Sequence, residues 1–198
     1  MVKLTIVHYS SYGTAHAMAS RIAETAEKAG AEVRLRRVRE TAPPEVVESV
    51  DAWAEHARSV ADMPVAEPDD LVWADAVIMG SGTRYGHVTS QLQAFIDTLG
   101  PVWQEGKLAD KVYAAFTSSS TPHGGQESTI LAMLTTFCHF GGIIVPPGYT
   151  DEVKFQDGNP YGVGVVTGGQ ETLTDTDHAA LDHLVNRVLR VAEGLELD

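Results

Sequence analysis

Apolar positions along this chain form short continuous runs that alternate with stripes recurring every three or four residues. Lys3 to Tyr9 is a β-rich run that ends in Ser10-Ser11-Tyr12-Gly13-Thr14, after which Ala15, Met18, Ala19, Ile22, Ala23 and Ala26 recur at helical spacing as far as Gly30. The pattern predicts strand, tight loop, helix. Alternation of Val33 and Leu35 with Arg34 and Arg36 predicts a second strand nearer the sheet edge. A helix from Pro43-Pro44 carrying Val46, Val47, Val50, Trp53 and Ala57 follows, then an acidic connection marked by Pro64 and Pro68.

Ala74 to Met79 is continuously apolar, as a strand covered on both faces must be, and it leads into the loop Gly80-Ser81-Gly82-Thr83-Arg84-Tyr85-Gly86. The next helix places Val88, Leu92, Phe95, Ile96 and Leu99 on one face and stops at Gly100-Pro101. Val112 to Phe116 predicts a fourth strand, opening into the small polar loop from Thr117 to Gly125. Ile130, Leu131, Leu134, Phe137 and Cys138 are expected as the inner stripe of another helix, broken at Gly141-Gly142 before a fifth strand from Ile143 to Val145. Tyr149 to Gln170 is glycine-rich and expected to be irregular. A last helix, capped by Thr174 or Thr176, carries Leu181, Leu184, Val185, Val188 and Ala192 and ends at Gly194.

Strands alternating with helices in this way predict one α/β domain over residues 1–198, doubly wound about an open five-stranded parallel sheet of order 2-1-3-4-5. Ligands of such sheets bind outside the carboxyl ends of the strands, where the Gly/Ser/Thr loops fall.

Composition narrows the function. The length and the 43% hydrophobic content suit a single domain with its own core. A net charge of -13 disfavours nucleic acid and anionic membrane as partners. No apolar stretch is long enough to span a bilayer, and MVKLTIVHYSS reads as a buried strand with no export signal, so the expected location is cytoplasmic. Cys138 is the only cysteine, which rules out an internal disulfide and leaves it as core filler.

Ser10, Ser11 and Thr14 around Gly13 offer hydroxyls beside the free amides of a helix N-terminus, which together can hold a phosphate without lysine; an ordinary turn capped by Thr14 is the alternative. Rival motifs are missing. No G-x-x-x-x-G-K-[ST] occurs, and Gly80-x-Gly82-x-x-x-Gly86 and Gly162-x-Gly164-x-x-x-Gly168 miss the dinucleotide spacing by one residue. The hydrolase elbow is also absent, and His8-Tyr9-Ser10-Ser11 stands where a phospho-receiver needs acids. His178 and His183 lie on different faces of their helix, so no metal site is expected.

Tyr9 to Gly13, Gly80 to Gly86, and Ser118 to Gln126 followed by Cys138-His139-Phe140-Gly141 resemble the WrbA-type flavoproteins, and the resemblance, which includes Trp103 and Pro146-Pro147-Gly148-Tyr149, runs in the same order from Met1 to about Val191. It implies a flavodoxin-like fold that binds FMN tightly and non-covalently. It also implies NAD(P)H:quinone oxidoreductase activity, with NAD(P)H as transient co-substrate, and assembly into homodimers and homotetramers with the flavin near subunit contacts. Matched by motif, Ser10, Ser11, Tyr12, Gly13, Thr14 and Ala15 would hold the phosphate and ribityl chain, and Thr83, Arg84, Tyr85 and Gly86 would border the ring. Ser118, Ser119, Ser120, Thr121, His123 and Gly124 would complete the cradle. The resemblance places His139 at the flavin pocket and Tyr12, Trp103 and Tyr149 where nicotinamide or quinone stacks, with catalysis resting on His139, Arg84 and Trp103.

Gly82, His87 and the longer stretch from Asp51 to Ala66 depart from the family pattern at the rim. The reaction expected is ping-pong: NAD(P)H delivers hydride to the flavin, leaves, and a quinone collects two electrons. An acidic one-electron carrier of flavodoxin type, or a scaffold without turnover, are the alternatives from other classes.

Overall fold

A computed structural model of the chain describes residues 1–168 and 172–195. Its elements run β1 (Lys3–Tyr9), α1 (Thr14–Lys28), β2 (Glu32–Arg37), α2 (Pro44–Glu48), α3 (Asp51–Ser59), α4 (Pro68–Trp73), β3 (Ala76–Gly82), α5 (Ser90–Asp97), α6 (Gly100–Gln104), β4 (Val112–Ser119), α7 (Gln126–His139), β5 (Ile143–Ile144), α8 (Val153–Asp157), β6 (Val163–Val166) and α9 (Asp175–Gly194). The strands are parallel in the expected order β2-β1-β3-β4-β5.

The sheet has six strands where the sequence predicts five, because the outer lane beside β4 is shared: β5 pairs with Val112 and Tyr113, and β6 with Phe116 to Ser119. The segment expected to be irregular therefore contains α8 and β6; Gln170, its last residue, lies outside the described residues.

Side chains alternate across the sheet. Leu4, Ile6, Ile78 and Ala114 face α1 and α9, whereas Val7, Val77, Met79 and Ala115 face α5 and α7. Both faces of the central strands are thus sealed by apolar packing, and water meets the strand ends and the edges. β2, at the edge, is half-buried along most of its length, as its alternating sequence requires.

Several local expectations change. The helix expected from Pro43 is two, because Ser49 Oγ donates back to the Val46 carbonyl (2.7 Å) and Val50 turns extended before α3. α4 was not foreseen, although Pro68 in its first turn and the reciprocal Glu67–Asp70 capping box are its signals. Gly100-Pro101 does not merely stop a helix, since Pro101 sits in the first turn of α6. On α7 the buried face is Gln126, Thr129, Ile130, Met133 and Phe137, so Leu131 and Cys138, expected inside, are exposed, and Cys138 is not core filler. They lie one residue, about 100°, off the buried stripe. Of the two caps offered for the last helix, Thr174 is the one used, paired with Asp177. β3 and β4 run on through Gly82 and Ser119, because small residues let the two ends pair as far as Gly82 with Ser118.

Lys154 of α8 is fully buried, ion-paired with Asp157 and bonded to the Gly162 carbonyl (3.0 Å). This pair pins the segment that carries the chain from β5 to β6. Burial pushes the Lys154 ammonium down and the Asp157 carboxyl up, and their mutual attraction opposes both shifts.

Against the α1 face of β1, His8 Nε2 lies 3.0 Å from His16 Nδ1, and the His16 ring lies 5.4 Å from that of His56 on α3. Burial, with neighbouring His16, holds His8 down to about 3; burial also lowers His16 and His56.

Two stability predictions follow from these buried groups. Asp157→Ala, which strands a buried ammonium, should cost about 3–5 kcal/mol by urea denaturation, and Lys154→Met combined with Asp157→Leu should cost less than that single change. The histidines stay neutral in the fold while the unfolded chain takes up protons below about pH 6.5, so stability is full above that value and falls as pH drops toward the His8 pKa of about 3. Urea titrations at about pH 7 and about pH 5 should show the loss, and His8→Phe should make the slope shallower by up to about 1.4 kcal/mol per pH unit.

Candidate functional site

The carboxyl ends of β1, β3, β4 and β6 surround a cavity of about 410 Å³ lined by Tyr9, Ser10, Ser11, Tyr12, Thr14, Ala15, Gly82, Thr83, Arg84, Thr89, Ser118, Ser119, Ser120 and Thr167. That size suits a small ligand or cofactor. No lining residue carries a carboxylate and one carries a cation, in a chain whose net charge is -13.

The first loop gets its shape from Gly13, whose φ of 99° is a left-handed conformation that a branched residue resists. Ser10 Oγ accepts from the Gly13 amide (3.0 Å), closing the turn, and Gly13 itself is the residue before α1. Thr14 is therefore inside the helix and does not cap it. Among the described residues no side chain caps α1, and its first turn holds no acid, so the amides of Thr14, Ala15 and His16 are available to receive an anion.

The other loops are tied to one another mainly through the backbone. Thr83 N donates to Ser118 O (2.8 Å), Thr117 Oγ1 to Ser81 O (2.7 Å), and Thr167 N to Ser119 O (2.8 Å). Gly125 lies so close to Gly86 that a Cβ there would meet the Gly86 Cα at 2.7 Å. Arg84 to His87 closes a two-residue hairpin through paired backbone bonds of 2.8 and 3.0 Å, with Tyr85 (φ 52°) and Gly86 (φ 85°) both left-handed. A bulky residue there is strained, and Tyr85 is fully exposed.

Arg84 reaches back to the first loop, its Nη2 donating to Ser11 Oγ at 2.9 Å. Behind that loop, Tyr9 Oη donates to Glu40 Oε2 at 2.5 Å. Burial and this hydrogen bond push the Tyr9 phenol well above its ordinary range. Burial alone would raise Glu40, but the donors Tyr9, Ala42, Gln91 and Thr41 hold it below the usual carboxylate value.

Of the expected residues, Ser10, Ser11, Tyr12, Thr14, Ala15, Thr83, Arg84, Ser118, Ser119 and Ser120 line this one cavity. Gly13 shapes the loop and lines a small adjoining cavity of about 180 Å³. Tyr85 faces a neighbouring cavity of about 700 Å³ that also meets Arg84; Gly86 supports the hairpin. Thr121 and Gly124 brace Ser119 from behind through the 2.7 Å bond from Ser119 Oγ to Thr121 O and the 3.0 Å bond from Gly124 N to the same carbonyl. His123 opens on a separate cavity of about 430 Å³.

Trp103 and His139 are brought together elsewhere: Trp103 Nε1 donates to the His139 carbonyl at 2.7 Å, at the far end of α7 from the cradle. A helix of 14 residues separates them from it by about 21 Å. Tyr149 lies between β5 and β6, stacked on Phe155 at 5.1 Å, and is not among the cradle's lining residues.

Tyr9, Gly82, Thr89 and Thr167 were missed as lining residues, as was Glu40 behind them. Thr167 could have been read from its place after the apolar run Val163 to Val166, had that run been taken as a strand.

The NADPH-dependent FMN reductase family matches residues 4–154. The chain is 49% identical over 195 residues to NAD(P)H dehydrogenase (quinone) of Deinococcus radiodurans, covering 98% of this chain and 97% of that one. It is 42% identical over 202 residues to the protein of the same name from Geotalea daltonii, covering 98% of each. Among solved structures it resembles the flavodoxin, WrbA-like protein from Agrobacterium tumefaciens, with a TM-score of 0.69 at 23% identity, covering 98% of this chain and 99% of that one. It also resembles oxidised Flavodoxin 1 from Bacillus cereus, with a TM-score of 0.61 at 15% identity and 99% of both chains covered. The last two show that the fold is flavodoxin-like. With a family match over residues 4–154 and a relative 49% identical along nearly its whole length, the chain belongs to the NADPH-dependent FMN reductase family.

Proposed function

We propose that the protein is an FMN-dependent NAD(P)H:quinone oxidoreductase working by a ping-pong scheme, in which nicotinamide and quinone use the mouth of the same cradle in turn. The observation that carries the reading is the cradle's chemistry. Free helix amides and a ring of hydroxyls, without a carboxylate, sit at the strand ends of a strongly acidic chain. Such a set of donors fits the dianionic phosphate and the ribityl hydroxyls of FMN.

The amides of Thr14, Ala15 and His16 would receive the phosphate, with Ser10, Ser11, Ser118, Ser119 and Ser120 holding the chain that follows and Thr83 and Arg84 bordering the ring. FMN supplies the two-electron redox chemistry when bound. The protein contributes fixed donors, a wall that excludes water from one side, and the Arg84 cation beside the first loop, which favours developing negative charge. Tight, non-covalent binding is the expected mode.

Trp103 and His139, about 21 Å along α7 from their own cradle, would serve the cradle of another copy, which supports a homodimer or homotetramer. Tyr12, Tyr85, Trp103 and Tyr149 are among the exposed aromatics available to such contacts or to stacking on substrate. Among the described residues no helix is long and apolar enough to cross a membrane. The relatives named NAD(P)H dehydrogenase (quinone) support the substrate pair, and the cytoplasm is the compartment we propose.

Mixed anaerobically with NADH or NADPH, the FMN-loaded protein should lose its oxidised flavin absorbance and regain it on adding a benzoquinone, with parallel double-reciprocal plots. Bleaching by neither nicotinamide would overturn the proposal. Gly13→Val forces a branched residue into a left-handed position and should cost about 1–2 kcal/mol locally, so the purified variant should retain its circular dichroism and lose most of its bound FMN.

A further inference from the structure

Glu40 follows β2 at the same end of the sheet as the cradle and, with Tyr9 and Trp53, lines a third cavity of about 210 Å³. Its carboxylate accepts five hydrogen bonds: from Tyr9 Oη (2.5 Å), Gln91 Nε2 (2.6 Å), Trp53 Nε1 (3.1 Å) and the amides of Thr41 and Ala42 (2.9 Å each). These donors come from separate parts of the chain. Tyr9 ends β1 and lines the cradle, whereas Trp53 on α3, Gln91 on α5 and Ala42 line the 700 Å³ cavity. Glu40 therefore stands in the wall between the two, and Arg84 is the residue that lines both.

The hydrogen bonds have a direction. Arg84 Nη2 donates to Ser11 Oγ at 2.9 Å, Ser11 Oγ donates to Tyr9 Oη at 3.4 Å, and Tyr9 Oη donates to Glu40. The middle link is the longest, and the carboxylate terminates the series because it alone is an acceptor only. With its proton turned toward Tyr9, the Ser11 hydroxyl presents lone pairs to the guanidinium. Were Glu40 replaced by an amide, an N–H would confront donors already pointing inward, and at least one would have to turn away.

Resting on the proposed flavin reading of the cradle, we propose that Glu40 is a positioning residue: acting through Tyr9 and Ser11, it fixes Arg84 at the mouth and ties the first loop to the wall of the second cavity. The stretch from Asp51 to Ala66 acquires a role as well, since Trp53 is one of the donors that hold the carboxylate in place.

The test is FMN affinity of the apoprotein, read from quenching of FMN fluorescence, for Glu40→Gln, Arg84→Met and their combination, with thermal unfolding measured alongside. Loss of one charge-assisted hydrogen bond predicts a dissociation constant raised about tenfold in Glu40→Gln. Arg84→Met should raise it similarly, and the double variant should be no weaker than the worse single, because one route carries both effects. Two folded single variants whose effects multiply, or Glu40→Gln that lowers the melting temperature and leaves the dissociation constant within twofold of wild type, would overturn the proposal. Should Glu40→Gln fail to fold, Tyr9→Phe keeps the volume and removes the link; it should loosen FMN by a comparable factor, and unchanged affinity overturns the inference. Wild-type apoprotein that takes up no FMN would remove the cradle reading itself, whereas wild-type uptake with unaltered variants removes only the role of Glu40.

Discussion

A parallel sheet covered on both faces delivers the carboxyl ends of β1, β3, β4 and β6 to one rim, and that single constraint decides where this protein can do chemistry. Apolar packing against α1 and α9 on one side and α5 and α7 on the other fills most of both layers, with a few buried polar groups such as Thr5 and His8 between them. At the rim the backbone must stop pairing, and the small residues from Gly80 to Gly82 and from Thr117 to Ser119 let β3 and β4 stay paired until their ends form the cradle floor. The Thr117, Ser119 and Thr167 hydroxyls there are held by neighbouring carbonyls before any ligand arrives, which reduces the ordering cost of binding.

The electrostatic arrangement is opposite to that of the chain as a whole. Twenty-seven acidic residues against fourteen basic ones would repel a phosphate, and the rim overcomes this locally by offering helix amides and one guanidinium while the Glu40 carboxylate stays behind the wall. Glu40 spends its acceptor capacity on five donors, so its charge organises side chains and is screened from the cavity by Tyr9. The three neutral histidines beside the first loop follow a similar logic: burial keeps them uncharged, and the fold becomes sensitive to acid as a consequence.

The family assignment and the geometry bear on different questions. Identity of 49% along the chain establishes kinship, whereas the lining of the cradle says what kind of group could be held. Trp103 and His139 mark the boundary between them, since the motif resemblance leads one to expect both at the flavin pocket and the single chain puts them at the far end of α7. Under the proposed oligomer a second copy would reconcile the two, with the exposed Trp103 and Tyr149 available to meet it.

The sequence by itself determined the strand order, the helices that sheathe the sheet and most of the cradle, because those features are written in local rhythm: apolar runs, helical stripes, and Gly/Ser/Thr at the turn after each central strand. It also showed Thr174 among the possible caps, which the Asp177 partner resolves. Tertiary structure alone decided the phase of α7, exposing Leu131 and Cys138, because a stripe one residue away is equally apolar and only packing on β4 selects between them. It likewise decided that Val163 to Val166 is a strand, since that short run gains its partner only from the upper half of β4. Glu40, Thr89 and Thr167 entered the site for the same reason: their contacts join residues far apart in the chain, and no periodicity records a neighbour brought close by folding.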